Sequence, residues 1–333
     1  MKKLIVSPAP HIHGKESTRG LMRDVIIALS PSLLVSIYFF GFSAIKLAFV
    51  GAITCVLVEY AIQKYIIKAK PSIKDYSAAL TGLLLALNLP PNSPWWIVFI
   101  GSLVAIGIAK MSFGGLGQNL FNPALVGRVF LLISFPVIMT DWTTPVSWFR
   151  EGIDASSGAT ALSIVKEGLS KGMTMDQIFA EHNFSYAEML FSKIGGSVGE
   201  VSALALLVGL VYLLIRRVIR PHIPLSILGS IAVLSGVFWL LNPDHNPDPI
   251  FTLLTGGILM GSIFMATDYV TSPMSTKGMV IYGIGIGVLT VLIRNFGAYP
   301  EGISFAILIM NATVPLLNNF FKPVRFGKEV RNG

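Results

Sequence analysis

The sequence predicts an all-α integral membrane protein with about ten transmembrane helices in two inverted five-helix repeats. Three observations carry this expectation. Hydrophobic residues make up 53% of the 333-residue chain and charged residues 13%, with a mean hydropathy of +0.71, the balance of a chain whose main solvent is hydrocarbon. Apolar runs recur at the length of about 20 residues that a bilayer crossing needs. Between alternate runs lie clusters of Lys and Arg, the asymmetry that orients membrane helices. The net charge of +8 is spread over these clusters and forms no continuous basic face, so nucleic acid is not an expected partner.

Ten runs qualify: 22–43, 46–67, 76–90, 95–112, 121–139, 197–216, 222–241, 250–268, 278–296 and 302–321. The third is short and closes on Leu89-Pro90-Pro91. Gly and Pro interrupt the fifth and eighth, where the freed backbone groups need partners inside the protein. Met1-Lys-Lys is followed by Ser7-Pro-Ala-Pro-His-Ile-His13 where the apolar core of a signal peptide would begin, so the first crossing itself is expected to direct insertion.

With the N-terminus inside, the cytoplasmic segments collect Lys64, Lys68, Lys70 and Lys74, then Lys110, then Arg216, Arg217 and Arg220, and finally Lys322, Arg325, Lys328 and Arg331. The outer segments are poorer in Lys and Arg. This divides the chain into a cytoplasmic N-terminal segment 1–21, a first five-helix half 22–139, an extracytoplasmic loop 140–196, a second half 197–321 and a cytoplasmic tail 322–333. Ala79-Leu-Thr-Gly-Leu in the third run is echoed by Leu253-Leu-Thr-Gly-Gly in the eighth. Five crossings per half make the second half inverted relative to the first. Trp95, Trp96, Trp142 and Trp148 fit an aromatic belt at the outer interface.

Several chemistries are excluded. A single cysteine, Cys55, allows no intrachain disulfide and no self-contained four-cysteine cluster. No Gly-rich dinucleotide fingerprint is present. The five histidines lie outside the apolar runs or at their ends, and His11 and His13 without acidic or thiolate companions make no expected metal site.

The outer loop is long enough to suspect function. Within it, Ala161-Leu-Ser-Ile-Val-Lys-Glu-Gly reads as a short helix, and Ser157 or Thr160 stands where an N-cap belongs. Capping by a hydroxyl, worth about 1 kcal/mol, is the commoner role for such residues. The sharper reading is covalent attachment at Thr160, with Gly158 and Ala159 leaving room beside the backbone. Spacing does not choose between the two. Charged residues in or beside apolar runs are costly in lipid and face the protein interior or water. Glu59, Arg128 and Asp268 are therefore candidates for a cation path or for contact with a bound cofactor, against structural ion pairing or snorkelling. Arg294 and Glu301, near an outer helix end, read as solvated. No residue is assigned as catalytic.

Ser157-Gly158-Ala159-Thr160 resembles the flavinylation motif of the NqrB/RnfD family, which contains the D subunit of Rnf complexes and the B subunit of Nqr complexes and in which a threonine carries FMN through a phosphoester. Val6–His13 resembles that family's amino-terminal signature, Phe264-Met-Ala-Thr-Asp-Tyr-Val-Thr-Ser-Pro273 its Met-Ala-Thr-Asp segment, and Asn122-Pro-Ala-Leu125 the start of its fifth helix. Tyr269 stands where many relatives have proline. The likeness covers nearly the whole chain, and the short segment before the first crossing favours the Rnf protein. The resemblance implies a multi-pass subunit of a bacterial or archaeal cytoplasmic membrane complex. Such a complex passes electrons between reduced ferredoxin and NAD and couples them to Na⁺ or H⁺ transport. It also implies covalent FMN on Thr160, a non-covalent riboflavin in the bundle, and a flavin transferase acting outside the cytoplasm. Further Rnf subunits are implied as partners, among them a second FMN carrier and the iron–sulfur and NAD-binding subunits. The rival readings are the B subunit of a Na⁺-translocating NADH:quinone reductase (Nqr), or a flavin-free channel or transporter with the same helix repeat.

Overall fold

The computed structural model describes residues 17–69, 71–143, 145, 158–182, 184–191, 195–297, 299 and 301–322. Every regular element among them is helical. In chain order these are α1 (Thr18–Phe40), α2 (Phe42–Ala61), α3 (Ser77–Leu87), α4 (Trp95–Leu103), α5 (Pro123–Ser134), α6 (Pro136–Met139), α7 (Ala161–Ser170), α8 (Met175–His182) and α9 (Tyr186–Phe191). They are followed by α10 (Ala203–Ile215), α11 (His222–Leu241), α12 (Pro249–Leu254), α13 (Ile258–Met260), α14 (Thr276–Phe296) and α15 (Ile303–Phe320).

Among the described residues, five helices are long and apolar enough to cross a membrane: Thr18–Phe40, Phe42–Ile67, His222–Leu241, Thr276–Phe296 and Ile303–Phe320. Shorter apolar helices occupy Ser77–Leu87, Trp95–Met111, Pro123–Ser134 and Ala203–Ile215. The bundle exposes large apolar side chains such as Leu34, Phe49, Val233 and Leu240, the surface that hydrocarbon rather than water would cover.

Local chemistry sets the helix starts. Ser17, Ser202 and Ser275 cap α1, α10 and α14 by accepting from backbone N–H groups. Asn122 and Asp248 do so for α5 and α12, each followed by a proline in the first turn, where its missing N–H leaves no orphan. Gly41, at φ 55°, turns the chain between α1 and α2.

Three expected crossings are not continuous helices, the run 197–216 opening on a separate 3₁₀ turn, Val198–Glu200, before α10. The run 121–139 divides at Phe135-Pro136 into α5 and α6. The run 250–268 divides into α12, α13 and a π-helical turn, Gly261–Met265. The break falls at Gly256 and Gly257, whose φ values of 63° and 73° are costly for any residue with a Cβ. Two further π turns, Ile62–Ile67 and Val104–Met111, continue α2 and α4.

The bundle is held by close backbone approach at small residues, the usual device where lipid removes any hydrophobic drive for helices to associate. α2 meets α3 at Gly51 and Gly82: a Cβ on Gly51 would stand 2.6 Å from the Gly82 carbonyl oxygen, and one on Gly82 would collide with that of Gly51. α11 meets α14 where Ser226 and Ser230 occupy the space beside Gly283 and Gly287. α1 packs on α10, Gly209 lying against the Ala28 carbonyl, and so joins the early and late helices.

Helices α7, α8 and α9 form a small cap, whose core of Ala161, Val165, Met175, Ile178 and Met189 closes on Phe251 of α12. α7 matches the helix expected after Thr160. The cap is tied to the bundle through Met175 N, which donates to Asp244 O at 3.0 Å, and Lys166 Nζ, which donates to Gly297 O at 2.6 Å. Tyr186 donates its hydroxyl to Asp248. Partial burial, and then that carboxylate, push the Tyr186 phenol above its ordinary range. Trp142, expected in an interfacial belt, is instead buried, while Trp95 is exposed. Trp148 lies outside the described residues.

Gly82→Val is expected to destabilise the chain by about 1–3 kcal/mol or more, the usual cost of overpacking, because the obstructing atom is backbone. A lowered melting temperature in detergent checks this, with Gly229→Ala, where nothing lies within 4 Å of the added Cβ, as the control.

Candidate functional site

Two polar assemblies lie in the apolar bundle, one near the cap and one at the opposite end. The assembly near the cap is built around Thr160, which is buried at 8% exposure. Its Oγ1 accepts from Ser163 N at 3.1 Å and lies 2.9 Å from Ser163 Oγ, so Thr160 is the N-cap of α7. The capping role weighed from sequence is therefore present. Gly158 precedes it, its N–H held by Trp142 O at 2.8 Å, and Ala159 is exposed. Ser157 lies outside the described residues.

Thr160 opens on a cleft of ≈10 Å³ lined by Gly195, Gly196, Glu200, Thr255, Gly256 and Glu301 as well as by Ala161 and Leu162. Behind it stands a network of four charged side chains from four separate segments. Arg128 of α5 pairs with Glu301 and donates to Ser304 Oγ at 2.6 Å. Arg294 of α14 donates to the carbonyls of Thr252 at 3.0 Å, Thr255 at 2.8 Å and Gly256 at 2.9 Å. Glu200 is buried on a 3₁₀ turn, Val198–Glu200. Arg128 Nε, Arg294 Nε and Glu200 Oε1 are buried without a hydrogen-bond partner within the chain, so each retains hydrogen-bonding capacity beside the cleft.

This corrects the reading of Arg294 and Glu301 as solvated. Arg294 is 8% exposed, because the carbonyls freed at the α12–α13 break are its partners, and the Glu301 side chain is 14% exposed against Arg128. Arg128 is thus an ion-paired residue that also stands behind the Thr160 cleft.

At the opposite end, Glu59 is 0% and Lys110 1% exposed. Lys110 Nζ lies 2.6 Å from Glu59 Oε2 and donates to Ser77 Oγ at 2.7 Å. Glu59 Oε1 also accepts from Gln63 Nε2 at 3.1 Å and Ser72 Oγ at 3.2 Å. Lys110, counted from sequence among the cytoplasmic loop charges, is in fact buried, because the π turn Val104–Met111 keeps it on the helix face toward α2. Lys110 also lines a cleft of ≈70 Å³ with Ser77, Thr81, Asn119, Asn122 and Asp268. Asp268 accepts from Thr271 Oγ1 at 3.1 Å. Asn122 Nδ2 donates to Met265 O at 3.1 Å, so the Asn122–Leu125 and Phe264–Pro273 stretches singled out in the sequence meet here.

The structure therefore brings Thr160, Gly158, Ala159 and Arg128 to one end, and places Glu59 and Asp268 at the other. Sequence reasoning missed Glu200, which falls inside the run 197–216 and carries the same signal that drew attention to Glu59. For Lys110 there was none, since nothing local marks a lysine at the end of an apolar run as buried.

A profile of the NQR2, RnfD, RnfE family matches residues 5–327. The chain is 42% identical to the D subunit of the proton-translocating ferredoxin:NAD(+) oxidoreductase complex of Clostridium ljungdahlii, over 97% of this chain and 96% of that one. It is 44% identical to the D subunit of the Na(+)-translocating ferredoxin:NAD(+) oxidoreductase complex of Acetobacterium woodii, over 97% and 95%. To the D subunit of the ion-translocating oxidoreductase complex of Aliivibrio salmonicida it is 37% identical, over 97% and 98%.

Lys110→Met should destabilise the chain by about 3–5 kcal/mol by leaving Glu59 charged and unpaired in an apolar site. The double variant Lys110→Met with Glu59→Met should recover most of that loss. Thermal unfolding of the three proteins in one detergent measures the difference.

Proposed function

This chain belongs to the NQR2, RnfD, RnfE family, and from that membership we propose that it is the D subunit of an ion-translocating ferredoxin:NAD⁺ oxidoreductase complex. In this reading it is not catalytic alone and relays electrons through FMN joined to Thr160 by a phosphoester. The named function of close relatives supports the complex, and the setting of the Thr160 hydroxyl supports the attachment.

The residues present fit the phosphate end of such a group. Thr160 Oγ1 stands at the N-terminus of a ten-residue helix, where backbone N–H groups and the helix dipole favour an anion. Gly195, Gly196 and Gly256 present backbone alone to the cleft, beside the side chains of Leu162, Glu200, Thr255 and Glu301. Arg128 and Arg294 offset the charge of Glu301 and Glu200. Thr160 would hold the phosphate through Oγ1, the atom to which Ser163 N–H donates. When bound, FMN supplies the redox chemistry, and the chain supplies position and electrostatics.

The ten crossings in two inverted halves, cytoplasmic termini and an extracytoplasmic Thr160 belong to the same reading. So do a flavin transferase acting on that side, the remaining Rnf subunits as partners and a non-covalent riboflavin in the bundle. Asp268 and the Glu59–Lys110 pair, on the cleft at the opposite end, are the groups proposed for a path of Na⁺ or H⁺. The relatives named for H⁺ and for Na⁺ are almost equally similar to this chain, so ion choice resides in details finer than the shared fold.

Thr160→Asn separates the two roles of this residue, because asparagine caps a helix as well as threonine does but offers no hydroxyl for a phosphoester. The fluorescent flavin band on a denaturing gel is expected to vanish while the melting temperature in detergent, measured against the flavin-free wild-type chain, is unchanged. Thr160→Ala should lose the band and also about 0.5–2 kcal/mol of stability. A band that survives in both variants places the flavin on another residue.

A further inference from the structure

Glu200 takes no part in the ion pair of Arg128 with Glu301 or in the bonds from Arg294 to the broken helix. It stands instead between two small spaces, the ≈10 Å³ cleft of Thr160 and a second cleft of ≈10 Å³ that it lines with Ala203, Leu206 and the backbone from Gly256 to Met260. We infer that Glu200 is a proton-binding site coupled to the attached flavin, its carboxylate taking up one proton when the group on Thr160 gains an electron and releasing it when that electron leaves. The inference rests on the attachment proposed above. It adds a protonation site at the end of the molecule opposite to Asp268 and the Glu59–Lys110 pair.

Position is the first argument. Each cleft has room for about one water molecule, and the two carboxyl oxygens face them separately. A Cβ on Gly196, in the wall of the Thr160 cleft, would stand 3.5 Å from Glu200 Oε2, and one on Gly257, in the wall of the second, 2.7 Å from Oε1. Glu200 is 7% exposed, and its Oε1 has no hydrogen-bond partner within the chain, so that oxygen can take a proton without any existing bond being broken. The turn that carries it is fixed: Ser32 Oγ donates to Gly199 O at 2.6 Å, Ser36 donates to Val198 O, and a Cβ on Gly199 would stand 2.9 Å from Leu87 Cβ.

Charge is the second. The charged groups that act on Glu200 are Glu301 ahead of α15, Arg128 of α5 and Arg294 of α14, while α1 and α3, packed on the turn, bring Ser32, Ser36 and Leu87 to it. Two cations and two carboxylates sum to zero, so nothing in the network offsets a further negative charge. An electron arriving beside it in a low-dielectric setting favours the neutral form of a neighbouring carboxyl. Glu301 is held ionised by Arg128, which leaves Glu200 to respond. The electron comes from the redox partners of the complex, the proton from water, and the bond formed is O–H on Oε1. Both leave on reoxidation, and Glu200 itself is neither oxidised nor reduced.

The test uses the assembled complex with its covalent flavin, purified in detergent. Infrared difference spectra, reduced minus oxidised, read carboxyl protonation directly. The wild type should gain a carboxylic-acid C=O band that shifts in D₂O, and Glu200→Gln, isosteric and neutral, should lose it with the flavin band on the denaturing gel undiminished. Glu200→Asp keeps the carboxyl and should return the band at a shifted frequency, which keeps the test open where the amide disturbs the fold. Across the titration range of Glu200 the one-electron midpoint of the flavin should fall with pH by up to about 59 mV per unit, the tenfold change in proton concentration converted for one electron, and Glu200→Gln should flatten that slope. No such band in the wild type, a band unchanged in both variants, or equal slopes in wild type and Glu200→Gln overturn the proton site. Attachment is read separately by the gel band of Thr160→Asn, so loss of the tether and absence of the coupled proton give different results.

Discussion

The Arg294 guanidinium is the interaction on which the rest of this site depends. Helix α12 stops at Leu254 and α13 starts at Ile258, after three intervening residues, inside an apolar bundle, and each unpaired carbonyl there would cost several kcal/mol. Arg294 reaches across from α14 and takes three of them, from Thr252, Thr255 and Gly256. Gly256 and Gly257 can then adopt left-handed backbone, and Gly256 presents bare backbone to the Thr160 cleft. Without a buried cation at that point those three carbonyls would lack the donor that now satisfies them.

That cation has to be balanced in turn. Glu200 and Glu301 approach from segments that precede α10 and α15, and Arg128 joins from α5. Four charged groups from distant parts of the chain thus stand together behind one hydroxyl. A network of this kind fixes geometry more than it adds stability, because pairing buried charges mainly recovers their desolvation cost. The same logic governs the opposite end, where Glu59 and Lys110 neutralise each other between α2 and the π turn that continues α4. The two ends are held in register by helices whose backbones touch at glycines, such as Gly51 with Gly82, which leaves little freedom to slide.

Much of this was legible in the residues themselves. The apolar runs marked nearly every helix to within a few positions, since hydrocarbon imposes a length and a composition that survive any tertiary context. The Ser-Gly-Ala-Thr stretch drew attention to Thr160, and the helix after it was readable from its pattern. Less was legible about charged side chains. Arg294 and Glu301 looked like solvated residues at a helix end, and Lys110 like an orienting loop charge. Whether such a residue is buried depends on what faces it across the bundle, which local sequence does not encode.

The sequence by itself determined that the chain is a bundle of apolar helices with a polar segment carrying a hydroxyl at a helix start, because those properties follow from composition, run length and capping chemistry within a few neighbouring residues. Only the tertiary structure decided which charges pair, that Arg294 supports the break beside Thr160, and that Glu200 stands between two clefts of ≈10 Å³. Those are relations between residues such as Arg128 and Glu301, or Glu59 and Lys110, that are far apart in the chain. They exist because folding in a low-dielectric bundle leaves a buried charge no water to turn to.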